Sequence, residues 1–230
     1  MKNKNYNQYE EYYLRNACSI VTLLNILKFN FAIIVKPTFI IKIAIYLERL
    51  KFFNPAKWAE FWPIYKIFVW ELNRRLWLNF WVIVNQISKL TKEDKRTYWV
   101  WVKWYWTAKW KKAKRGWFIS KKDLDYLNTF SWGVGHNLAF DNDGWWTIID
   151  TDWGRNTKMT LTTLKYGLEL NLFWDNIRTI DPLDNYTKTV VRYTIKLFLA
   201  EKRGTLDRYL EKNKRNKHIM KAKELYLYGR

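Results

Sequence analysis

A mainly α fold is predicted for this chain: several long helices around an aromatic-rich core, with a small β-hairpin near residues 136–150. Three observations predict it. Apolar residues recur at three- and four-residue spacing over most of the chain, the period of a helix face. Helix-start signals stand before those runs at Asn7-Gln8-Tyr9-Glu10, Asn54-Pro55, Thr91–Asp94 and Asp184. One stretch breaks the pattern: Tyr126–Phe140 is poor in charge, and an Asn-Asp-Gly turn follows it between apolar flanks.

In chain order, Asn7 and Glu10 form a capping box for a helix over 8–27. Residues 29–35 are compatible with a short strand or with continuation of that helix. Pro37 marks a break, and Ile40, Ile43, Tyr46 and Leu50 predict a helix over 38–53. A longer stripe follows Pro55: Phe61, Ile64, Phe68, Leu72, Leu76, Phe80, Ile83 and Ile87 predict helix from Ala56 onward, which Pro63 either kinks or starts. Trp58, Trp62, Trp70, Trp77 and Trp81 widen that stripe almost all round, so core packing is expected of them.

Thr91 and the acids after it predict the start of a basic helix that runs to Arg115 and ends at Gly116. The hairpin comes next, with Asp141-Asn142-Asp143-Gly144 at its turn. Leu161, Leu164, Leu168 and Leu172 predict an amphipathic helix within 160–174, and Asp184 caps a helix over 185–203. Gly204 interrupts, Thr205 caps again, and 206–227 reads as one last basic helix. Its segment 212–223 is polar enough to be an extension that orders on a partner. The expected division is a helical body, 1–201, with the hairpin inserted, and a basic C-terminal helix or extension, 202–230.

The charge is large and uneven. The chain carries 41 Lys and Arg against 21 Asp and Glu, a net charge of +20. Residues 92–122 supply +9 and 202–230 supply +7, while 123–186 are net −6. A field of that size repels itself unless a polyanion neutralises it. Two basic surfaces on a less basic body point to nucleic acid. The first candidate surface is Lys103, Lys109, Lys111, Lys112, Lys114, Arg115, Lys121 and Lys122; the second is Arg203, Arg208, Lys212, Lys214, Arg215, Lys217, Lys221 and Lys223. Trp104, Trp110 and Trp117 interleave with the first and are the candidates for stacking on unpaired bases.

Catalysis finds no support in the sequence, and no enzyme is expected. His136 and His218 lie far apart, and no phosphate-binding Gly loop, nucleophile elbow or His-x-x-x-His pair occurs. His136 is expected to make a structural hydrogen bond. Asp141 and Asp143 imitate a calcium loop only in part: with Gly144 in the glycine place, Ala139 falls at the first ligand position and no Glu closes the loop. Cys18 is the single cysteine, so neither an internal disulfide nor a Cys-based zinc site can form. No metal, cofactor or small-molecule substrate is expected.

Sixteen Trp accompany an abundance of Lys, Asn, Ile and Tyr. That bias fits an A/T-rich genome that also reads UGA as Trp, as organelle genomes and some wall-less bacteria do. The first residues, with Glu10 and Glu11 and no small-residue cleavage site, do not read as a transit or secretory signal. Synthesis within a mitochondrion, on the matrix side, is the expectation. In composition the chain resembles organelle-encoded ribosomal proteins of diverged protist lineages. Lys217-His218-Ile219-Met220-Lys221-Ala222-Lys223, with the ending Tyr228-Gly229-Arg230, is similar to the C-terminus of the small-subunit head protein that lines the tRNA exit site. The resemblance implies a structural constituent of a mitochondrial ribosome, with rRNA and neighbouring ribosomal proteins as partners. The alternative is an accessory subunit of an inner-membrane respiratory or ATP-synthase complex, whose cations would meet other subunits and anionic lipid. A mean hydropathy of −0.41 counts against that alternative.

Overall fold

A computed structural model describes residues 18–35, 37–51, 61–94, 96–102, 136–142, 146–150, 156–169 and 175–227. Among them are seven α-helices and six strands, and helix predominates. The helices are α1 (Cys18–Phe31), α2 (Pro37–Arg49), α3 (Phe61–Leu76), α4 (Leu161–Glu169), α5 (Asn185–Lys202), α6 (Leu206–Lys212) and α7 (Lys217–Leu227). The strands are β1 (Phe80–Gln86), β2 (Tyr98–Val102), β3 (His136–Asn142), β4 (Trp146–Asp150), β5 (Asn156–Met159) and β6 (Asn176–Pro182). They divide into two compact units. One holds α1–α3, the first residues of β1, the last of β6, and α5–α7; the other holds the remainder of the strands with α4.

In the helical unit, α1 is apolar on nearly every side, and Ile20, Leu24, Ile26 and Leu27 are fully buried. It packs on α3 and α5, and α2 packs on α3. Two devices end α3. Trp77 takes a left-handed backbone, φ 54°, where glycine is the favoured residue. The Asn73 side chain then accepts from the Phe80 N–H and donates to the Phe80 carbonyl, each at 2.8 Å. An amide in that position substitutes for a strand partner and launches β1. The helical stripe predicted to run on through Ile87 is therefore corrected: helix stops at Leu76, and 80–86 is strand. Val82-Ile83-Val84 is a β-branched run that suits a pleated surface better than a helix face.

The other unit is built on a six-stranded sheet of order β1-β6-β2-β3-β4-β5. The expected hairpin is present as β3 and β4, antiparallel from Leu138↔Asp150 to Asn142↔Trp146. It is not an isolated insertion, since β2 pairs antiparallel with β3, and β5 with β4. Here the basic helix expected from residue 92 is corrected, because Tyr98–Val102 forms β2. The run Tyr-Trp-Val-Trp-Val is aromatic and β-branched throughout, and pairing on both edges, to His136–Phe140 and to Arg178, outweighs the helix-start signal at Thr91. The 3₁₀ turn Ile87–Lys89 receives α4. Its Ile87 and Ser88 N–H groups donate to the Asp175 carbonyl and carboxylate at 2.9 Å each.

The described core is chiefly aliphatic, with Phe31, Phe39, Phe68, Phe80, Tyr98, Trp99 and Tyr226 as its aromatic members. Trp70, Trp77 and Trp81, expected inside, are exposed. Trp58 lies outside the described residues, as do the start of the first predicted helix and the hairpin turn at 143–145.

Two stability predictions follow from these ends. Trp77→Gly relieves a left-handed L-residue that is 80% exposed and so gives up little packing. It should raise unfolding free energy by roughly 0.5–1 kcal/mol in urea melts, the strain relief less glycine's entropy. Asp184→Ala removes the N-cap of α5 and should cost about 1 kcal/mol. The cap bond holds the Asp184 carboxyl below the usual carboxylate range. Its contribution is therefore present above the ordinary Asp pKa and is lost as pH falls through the lowered one, an acid-side slope that the variant should lack.

Candidate nucleic-acid interface

The second basic segment is built on α5. Asp184 accepts from the Thr187 N–H at 2.7 Å, as its place before the helix predicts. Thr187, fully buried, accepts from the Asn79 N–H at 2.9 Å, and the Leu183 N–H donates to the Asn79 carbonyl at 2.8 Å. From this start Val190, Val191, Thr194, Leu197 and Ala200 face inward. Thr194 donates to the Phe31 carbonyl at the end of α1. The outer face then carries Lys188, Arg192 and Lys196 at four-residue spacing, with Ile195 and Leu199 exposed beside them. Between Asn185 and Ala200 the helix contains no acidic residue.

Beyond Lys202 the chain does not continue as one helix. Gly204 takes φ +67°, and Thr205 turns back, its N–H and hydroxyl both donating to the Ala200 carbonyl at 2.9 and 3.2 Å. Thr205 thus closes α5 and makes no side-chain cap for α6. The expected single helix over 206–227 is two, α6 and α7, separated at Asn213–Asn216. Asn216 begins α7 by accepting from the N–H groups of His218 and Ile219 at 3.0 and 3.2 Å. Nor is the tail a bare extension. Ile219, Ala222, Leu225 and Tyr226 are buried, and α7 packs along α5. The Tyr226 hydroxyl donates to Glu201, and the His218 ring lies 5.3 Å from that of Tyr186. Like ends of α5 and α7 are therefore together, and the two run in the same direction.

Each predicted cation of this segment is placed on that scaffold. Arg203, Arg208, Lys212, Lys214, Arg215 and Lys217 are exposed; Lys221 and Lys223 are half-buried. Lys214 pairs with Glu211 at 2.6 Å and Lys221 with Glu224 at 2.9 Å. The exposed Lys214–Glu211 pair is worth under about 1 kcal/mol, so a phosphate can displace its carboxylate. Sequence reasoning missed Lys188, Arg192 and Lys196 as site residues, although their i, i+4 spacing is visible in the sequence. With them, 185–227 holds twelve cations against four acids. Lys196 and Lys202 lie 5.2 and 4.6 Å from the ring centroids of Tyr193 and Phe198, so ring faces steady their ammonium groups. The first predicted surface, Lys103 to Lys122, and its stacking candidates Trp104, Trp110 and Trp117 lie outside the described residues.

Away from this surface, Tyr98 and Glu71 have structural partners. Tyr98 donates to the Asp94 carboxylate at 2.7 Å, and burial together with that bond pushes its phenol up to about 12. The buried Glu71 carboxylate accepts from Arg74 and Arg75; the Arg74 bond lowers its pKa against the opposing effect of burial. His136 pairs through its backbone position with Val102, in β3. Among the described residues no cluster of three His, Cys, Asp or Glu could hold a metal ion, and no helix is long and apolar enough to cross a membrane. No protein-family model, curated protein or solved structure matches the chain.

The arrangement supports one quantitative expectation. Changing Lys188, Arg192 and Lys196 together to Ala should flatten the salt dependence of affinity for a labelled RNA duplex. The log–log slope should fall by about 0.9 for each phosphate no longer neutralised, or roughly 2–3 for the triple variant. Anisotropy titrations across a salt series read this, and thermal unfolding should change little because all three side chains are exposed.

Proposed function

We propose that the protein is a structural, RNA-binding constituent of a ribonucleoprotein particle, and its composition favours a mitochondrial ribosome as that particle. The observation that carries the reading is the cationic outer surface of α5–α7. Nine cations stand on the three helices and three more on the turns between them, and α5 and α7 are held from within by Val190, Leu197, Ile219 and Leu225. Cations held on a packed scaffold can meet phosphates without first being ordered, and each contact releases condensed counterions. Phosphate contacts of this kind position a protein on RNA and carry no sequence information by themselves. That is the requirement for a constituent that reads the shape of one folded rRNA. The segment 92–122 adds +9 to the same balance.

Anionic lipid at an inner-membrane complex offers the same charge complement, and cell fractionation separates the two partners. The native protein should sediment with a large particle, and RNase or high salt should shift it to light fractions. Release by detergent alone, from a particle that contains no RNA, would replace this reading with the accessory-subunit one.

A further inference from the structure

We propose that the outer edge of α3 is a stacking platform for unpaired nucleobases, formed by Lys66, Trp70, Arg74 and Trp77. The proposal rests on the RNA-binding reading and adds to it a class of substrate, single-stranded nucleic acid, and a place.

Residues 66, 70 and 74 fall at intervals of four and so lie in one row along α3, and Trp77 follows directly after the helix end at Leu76. All four are exposed, Trp70 at 54% and Trp77 at 80%. The inner side of the same helix is complete without them, since Phe68, Val69, Leu72 and Leu76 are buried. Neither Trp is therefore a core residue displaced outward. Cation, ring and cation succeed one another over about 12 Å of helix, and a second ring stands just beyond its end. An unpaired strand alternates phosphates and bases in the same manner, and its bases present open faces.

The row is also fixed in advance. Glu71, buried beneath it, accepts from Arg74 Nε at 2.8 Å and from Arg74 Nη2 at 2.7 Å. That fork holds the guanidinium 6.0 Å from the Trp70 ring centroid. Glu71 is shared with Arg75, so the three groups together keep one positive charge. Trp77 is fixed differently. Its left-handed φ of 54° ends the helix and turns the chain toward β1, leaving the indole in solvent. A ring in water at a strained backbone position contributes little to the fold. A base stacked on it would remove apolar surface from water on both partners. A duplex offers no free base face, so the rings distinguish unpaired from paired strands.

The test uses the full chain and three probes: a labelled dodecameric oligouridylate, a labelled RNA duplex of equal length, and vesicles containing cardiolipin. Trp70→Ala with Trp77→Gly should weaken oligouridylate binding roughly thirtyfold, the low end for losing two base–ring stacks. Duplex affinity should stay within about twofold, because the phosphate contacts remain. Trp70→Phe with Trp77→Phe should keep most of the single-strand affinity, and unchanged helix content by circular dichroism certifies the fold of both variants. Unchanged oligouridylate affinity in the Ala/Gly variant overturns the platform while leaving RNA binding intact. Equal losses on both RNA probes overturn it as well, and so does a loss confined to vesicles, which would make the edge a membrane contact. A wild-type chain that binds neither RNA probe overturns the platform and the RNA-binding reading together.

Discussion

The helical unit depends on a few hydrogen bonds around Asn79. Its carbonyl accepts from Leu183, and its N–H donates to the buried Thr187 hydroxyl, residues more than a hundred positions later in the chain. Asp184, between those two, closes the first turn of α5. One junction thus binds the start of β1 to the start of α5 and satisfies donors that the first helical turn leaves open. Once α5 is placed, α1 meets it through Thr194 and the Phe31 carbonyl, and α7 lies along it. Phe31 in turn stacks on Phe80, with ring centroids 5.3 Å apart, and Asn73 pairs with the backbone of that same Phe80. Every cation of the C-terminal surface is positioned by this chain of attachments.

Much of that arrangement is legible in the sequence, and for physical reasons. Asp-Pro-Leu-Asp before a run with Val190, Tyr193 and Leu197 in register states where α5 begins and which way it faces. The Asp-Asn-Asp-Gly turn does the same for β3 and β4. Other elements are hidden because two periods coincide. Phe80, Ile83 and Ile87 continue a helical stripe, and the chain through them turns to strand once Asn73 pairs with the Phe80 backbone and Trp77 turns left-handed. Neither device has a strong signature: glycine is the residue that usually marks such an end, and an Asn seven residues before a strand looks like any other. β2 is obscured by its neighbours. Lysines before and after Tyr98–Val102 imitate the polar face of a helix, whereas the strand is decided by partners at 136–140 and 178 that local pattern cannot show.

The candidate site is readable in a similarly partial way. Charge counting finds the segment after 202 and passes over Lys188, Arg192 and Lys196, because the apolar face of α5 dominates its sequence pattern. It also takes a polar tail for an extension. Ile219, Ala222, Leu225 and Tyr226 are spaced as one helical face, yet Lys217, Lys221 and Lys223 among them lower the mean hydropathy of the segment. Tyr226 shows why the helix docks all the same. Its ring is buried against the unit, and its hydroxyl is satisfied by Glu201, so the one polar atom taken inside costs little.

Tryptophan is where composition and packing part company. A chain with sixteen Trp invites the inference that its core is aromatic. The described core is built instead chiefly from Ile, Leu and Val, which interlock on narrow helix faces without an indole N–H to satisfy. Trp99 is the exception: it lies fully inside the sheet unit, with the Arg178 guanidinium 5.8 Å from its ring. Trp70 and Trp99 thus share one motif, an indole beside a guanidinium, and differ in how much of the ring is left open. In Trp99 the motif is closed by protein on all sides. In Trp70 the Glu71 fork fixes the guanidinium from beneath, and the ring keeps more than half its surface. The same pairing is therefore finished in one unit and left with room for a further layer in the other, which is the condition a stacking partner requires.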